Sequence, residues 1–65
     1  MDYAKRIKVL RIIKGFTQED MAAKINMPKS TYIKKENQQT NFYIQEAIEL
    51  ARVLDVDLET IFFNN

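Results

Sequence analysis

The 65-residue chain has no cysteine and no histidine, and these two absences exclude most of the chemistry open to a small domain. Without thiols there is no disulfide framework and no cysteine nucleophile. Without imidazole there is no Cys/His zinc site and no histidine acid–base catalysis. Glycine and proline occur once each and tryptophan not at all. So few chain breakers, alongside 46% apolar and 29% charged residues, describe an ordered helical domain rather than a disordered tail. No apolar run approaches the roughly 18 residues of a membrane span. Met1-Asp2-Tyr3 lacks the basic-then-apolar layout of a secretion signal, so a cytoplasmic location is expected. A single domain over residues 1–65 is expected, because a chain this short buries only about 60% of its extended surface in one small core.

Net charge is only +1, yet its distribution is lopsided. Residues 1–35 carry nine of the ten cations against Asp2, Glu19 and Asp20, whereas residues 36–65 carry six anions against Arg52 alone. Such polarity gives either a basic face for a polyanion or two oppositely charged solvated faces, and charge alone leaves both open.

Apolar spacing predicts five helices. Tyr3, Ile7, Leu10 and Ile13 align on one stripe of a first helix that Gly15 ends. Thr17 can cap a second helix with Glu19 and Asp20 in its first turn and Met21, Ala22 and Ile25 inside. Asn26 suits the left-handed closure of that helix, and Pro28 suits the opening of the next, expected over residues 28–36. Residues 37–41 are polar and read as a loop. A fourth helix over residues 43–54 places Ile44, Ala47, Ile48, Ala51 and Leu54 on one face, and Asp57 can cap a last short helix bearing Leu58, Ile61 and Phe62.

Two short helices joined by a tight turn, the second basic and lightly apolar, form a helix-turn-helix arrangement over residues 17–36. One helix buries enough surface to hold the pair rigid, and the next keeps a polar outer face whose side chains can reach base edges in the major groove.

The chain also resembles the phage repressor/Cro (Xre-like) helix-turn-helix family from Ile7 to Phe63. The resemblance rests on Ile7-Lys8-x-Leu10-Arg11, Lys14-Gly15-Phe16-Thr17-Gln18-Glu19-Asp20-Met21-Ala22, Ser30-Thr31-Tyr32, Glu36-Asn37 and Ala51-x-x-Leu54-x-Val56-x-Leu58-x-x-Ile61-Phe62. It implies an all-α, five-helix, lambda-repressor-like domain that binds operator double-stranded DNA as a homodimer and regulates transcription, as a repressor does, without catalysis, cofactor or metal. The implied DNA contacts are Thr17, Gln18, Lys29, Ser30, Thr31, Lys34, Lys35, Asn37 and Asn41. Among them Gln18 resembles a phosphate-clamping glutamine, Lys29, Ser30 and Lys34 match the base-facing positions, and Lys35 is expected on phosphate. Arg11 and Glu36 match an inward-facing ion bridge. Asn26, Pro28 and Gln38 depart from the common pattern, and the inverted Ile33 and Lys35 leave open which of Lys34 and Lys35 points at bases.

Ile61-Phe62-Phe63 is more apolar surface than one short helix readily buries. Phe62 is expected in the core. Phe63, with Leu58 or Ile44, is expected either at a dimer interface or folded back onto the first helix, and Val9 and Ile12 raise a similar question. A protein–protein adaptor or antitoxin-type subunit is the alternative function. No membrane and no small-molecule substrate are implied.

Overall fold

Several helix ends fall where the local sequence offers a signal. The structure, a computed structural model, describes residues 3–63. Helix α1 (Tyr3–Lys14) closes at Gly15, whose φ of 81° is costly for a side chain. A Cβ at Gly15 would meet nothing within 4 Å, so backbone conformation rather than space calls for glycine there. Helix α2 (Gln18–Lys24) opens on a capping box: the Asp20 amide donates to Thr17 Oγ1 at 3.0 Å and the Thr17 amide donates to Asp20 Oδ2 at 2.9 Å. The Thr17 amide, then the Thr17 hydroxyl, hold the Asp20 carboxyl below its usual range.

Asn26 takes φ 56°, the left-handed turn expected of it, and Met27 N–H closes onto the Ala22 carbonyl at 2.8 Å. Helix α3 (Lys29–Glu36) begins one residue after Pro28, whose carbonyl accepts the Tyr32 amide at 3.0 Å. Gln38, at φ 67°, then turns the chain back so that Gln39 N–H reaches the Lys34 carbonyl at 2.8 Å. Helix α4 (Ile44–Leu54) is capped by Glu46 Oε1, which accepts the Tyr43 amide at 2.8 Å, and ends at left-handed Asp55. Helix α5 (Leu58–Phe62) follows Asp57, which stands at the cap position without a side-chain capping bond. Its backbone carbonyl, not its carboxylate, takes the Thr60 amide, at 2.9 Å. The described residues are all-α, with no strand.

Helix α1 packs on α3, α4 and α5, and α2 packs on α3 and α4. Ile7, Met21, Tyr32, Leu50, Leu54 and Ile61 are fully buried where they meet. Two expected faces shift. On α1 the buried stripe is Ala4, Ile7 and Arg11, with Ile13 left 72% exposed. On α4 it is Ala47, Leu50, Ala51 and Leu54, while Ile44 and Ile48 stand 62% and 41% exposed. In both helices the apolar residues span more arc than the neighbours can cover, and packing selects which edge of the arc goes inside. Phe62 is half-buried against the Tyr3 ring, centroids 5.1 Å apart, and Arg6 Nη1 donates to the Ile61 carbonyl at 2.9 Å. Together these tie the start of α1 to α5.

Candidate nucleic-acid interface

A four-residue polar network sets how α3 is held. Arg11 grips Glu36 with two parallel bonds, Nε to Oε2 at 2.9 Å and Nη2 to Oε1 at 3.1 Å, while its Nη1 donates to the Phe16 carbonyl at 2.7 Å. Tyr32 donates its hydroxyl to Glu36 Oε2 at 2.6 Å, and Gln18 Nε2 donates to Oε1 at 3.0 Å. Burial by itself raises the Glu36 pKa, but the bonds from Arg11, Tyr32 and Gln18 outweigh it and leave the carboxyl below its usual range. The bond to Glu36, working against desolvation, raises the Arg11 pKa, and burial pushes the Tyr32 hydroxyl well up. The inward-facing bridge expected of Arg11 and Glu36 is therefore present. Tyr32 enters it through its i, i+4 spacing to Glu36, a spacing visible in residue order.

With Tyr32, Lys35 and Glu36 inside, helical geometry turns Ser30 and Lys34 to the opposite side. Both are exposed, Lys29 is exposed beside them, and Thr31 and Ile33 form half-buried shoulders. Lys29 Nζ lies 3.7 Å from Glu19 Oε1, both side chains being largely solvated, so this pair constrains little. The rotation of α3 is thus resolved: Lys34 points out and Lys35 points in.

Lys35 is a correction to the expected phosphate contacts. It is 7% exposed, its Nζ lies 2.7 Å from Glu46 Oε1, and the ammonium sits 4.0 Å above the Tyr43 ring. Its charge is satisfied within the fold, where it fastens α3 to the start of α4. Tyr43 and Glu46 were missed as partners, although the Tyr43-x-x-Glu46 capping spacing was legible.

The remaining predicted residues fall into two groups. Thr31, Lys34 and Asn41 line one groove of about 780 Å³ between α3 and the loop before α4. Exposed Thr17 and half-buried Gln18 stand at the start of α2, and exposed Asn37 ends α3. Gln18 is tied inward by one amide hydrogen; a carboxamide has a second to offer a phosphate oxygen.

A helix-turn-helix family model matches residues 7–61. The chain belongs to this helix-turn-helix family. Neither a curated protein nor a solved structure matches it. The helix-turn-helix unit is α2, the Ile25–Pro28 turn and α3, and membership makes this a domain of DNA-binding regulators, a family that is not typically enzymatic. Among the described residues no helix is long and apolar enough to cross a membrane.

Leu58 and Phe63, expected at a dimer interface, line one groove with Ile44, Glu59 and Phe62. Phe63 is 66% exposed and does not fold back onto α1.

Proposed function

We propose that this domain reads operator DNA in the repressor/Cro manner, inserting α3 into the major groove. The observation that carries this reading is the division of α3 into two faces. Tyr32 and Glu36 are locked to α1 and α2 by the buried network, and Ser30, Lys34 and Lys29 are left outward on a fixed frame. Lysine donates to guanine O6 and N7, and serine pairs with either donors or acceptors of a base edge. Thr17 and Gln18 at the start of α2, with Thr31, Asn37 and Asn41 along the groove and loop, meet backbone phosphates and set the register. Two copies bind together through the surface holding Leu58 and Phe63, with half-sites about one helical turn, roughly 10 base pairs, apart. Repression follows where the occupied site overlaps a promoter.

Selection of bound sequences from a random duplex pool tests this directly. A recovered motif that the Lys34→Ala variant no longer prefers supports it. Failure to bind any duplex at low salt overturns it and points to a protein adaptor instead.

A further inference from the structure

The side of α1 turned away from the core carries two features that folding does not explain. Its second half exposes three β-branched apolar residues, Val9, Ile12 and Ile13, at 48%, 57% and 72%. Ile12 and Ile13 follow Val9 by three and four positions, so the three side chains form one patch. Valine and isoleucine are weaker helix formers than lysine, and in water they gain no burial in return. The first half is basic. Lys5 and Lys8 are exposed four positions before Val9 and Ile12, and the first turn of α1 holds no acid. A cation near a helix N-terminus lies against the macrodipole. Among the described residues no carboxylate pairs with Lys8.

Both halves are unfavourable in the isolated domain, and one kind of surface complements them together: an apolar stripe bordered by carboxylates. The same face of a second copy does not supply it, because α1 carries no acid and brings no countercharge for Lys8. An anionic bilayer offers countercharge, but the opposite side of α1, with Ala4, Ile7 and Arg11, is packed inside the fold. The exposed patch holds no aromatic residue and spans little more than one helical turn, which is little to sink beneath lipid headgroups. An acidic amphipathic helix meets both demands. The patch lies opposite Ile7 and Arg11, and Arg11 is the residue that reaches α3. It therefore stays open whether or not α3 occupies a DNA groove.

We propose that this side of α1 docks an amphipathic helix of another protein, whose apolar stripe covers Val9, Ile12 and Ile13 and whose carboxylates meet the basic first half of α1. Two packed helices bury such a patch without any change in the fold of this domain. With α3 on DNA, the contact holds the second protein at the bound site.

The test uses the whole chain and two synthetic helical peptides with the same leucine stripe at i, i+3, i+4 and i+7, one flanked by glutamate and the other by lysine. The glutamate peptide should bind and shift the methyl resonances of Val9, Ile12 and Ile13 together. The lysine peptide should bind about ten-fold more weakly, and added salt should narrow the gap. Ile12→Ser should weaken the glutamate peptide about ten-fold. Lys8→Glu should weaken it about five-fold and strengthen the lysine peptide. Circular dichroism checks that each variant is folded, and Ile13→Ser replaces Ile12→Ser if that one is not. Equal affinity for the two peptides, or shifts confined to the groove of Ile44, Leu58 and Phe63, overturns the proposal. So does a wild type that ignores both peptides, whether or not it binds phosphatidylserine vesicles. An Ile12→Ser variant that sediments at half the wild-type mass would show the face covered by a second copy, which overturns it too. Ile12→Ser should leave duplex binding in a mobility shift unchanged, so a failure here is told from a failure of the DNA-binding reading.

Discussion

The molecule contains two helix pairs built by the same backbone device and finished with opposite surfaces. Helices α2 and α3 turn at left-handed Asn26, φ 56°, and helices α4 and α5 turn at left-handed Asp55, φ 57°. Beyond those turns α3 shows solvent serine and lysine, while α5 and the residue after it show Glu59 and Phe63. The α2–α3 pair is fixed by charge deep in the fold, through Glu36 and its three side-chain donors. Among the described residues the α4–α5 pair is fixed by Leu50, Leu54 and Ile61, all fully buried. A hydrogen-bonded network fixes direction as well as proximity, which the proposed reading of base edges by α3 requires. Apolar packing fixes the proximity of α4 and α5 through side chains alone and sets no polar direction.

The contrast breaks most sharply at Glu36. Replacing it with alanine strands the Arg11 guanidinium and the Tyr32 hydroxyl in the interior, at an expected cost of about 3–5 kcal/mol by urea unfolding. Asp57→Ala, at the start of α5, should cost less than about 0.5 kcal/mol, because that carboxylate makes no capping bond. Comparable losses at the two positions would show that α3 is held no differently from α5.

Next in size are the two neighbouring lysines. Lys34→Ala should cost about 1–3 kcal/mol on the selected DNA site and little on random duplex. Lys35→Ala should lower the unfolding free energy by about 1–2 kcal/mol and leave the salt slope of DNA binding unchanged, because its partners are Glu46 and Tyr43. A salt slope reduced by about one in Lys35→Ala would return that residue to the phosphate contacts.

Acid titration separates the pairs again. The folded Glu36 carboxyl lies below its ordinary 4.5, so its stabilisation is complete above the unfolded value and is lost as pH falls through the folded one. Wild type should lose stability across that acidic window, and Glu36→Gln should lose less over the same range in thermal melts. A small effect of opposite sign is expected at the connection between the pairs. Gln38 bears a side chain at φ 67°, so Gln38→Gly should raise stability by about 0.5–1 kcal/mol in urea, with DNA affinity unchanged.

Much of this was legible from residue order. Thr17 and Asp20 announced the start of α2, Asn26 and Pro28 the turn, and Gly15 the end of α1, because caps and turns depend on neighbours within a few positions. The candidate site was legible in composition, since Lys29, Ser30 and Lys34 are polar residues where a buried helix would have apolar ones. Less legible was the inside of α4. Ala47, Ala51 and Leu54 fit an inner face with Ile44 and Ile48 as well as one with Leu50, and periodicity does not rank the two edges.

Sequence alone therefore determined the number of helices, their ends, the excluded chemistries and the family. Tertiary structure alone decided that Lys35 turns inward onto Glu46 while Lys34 turns outward, that Gln18 is tied to the buried carboxylate of Glu36, and that Ile13, Ile44 and Phe63 remain in water. The physical reason is range. Caps and turns are settled by bonds within a few residues, whereas the rotation of a helix about its axis is settled by what packs against it from elements distant in the chain.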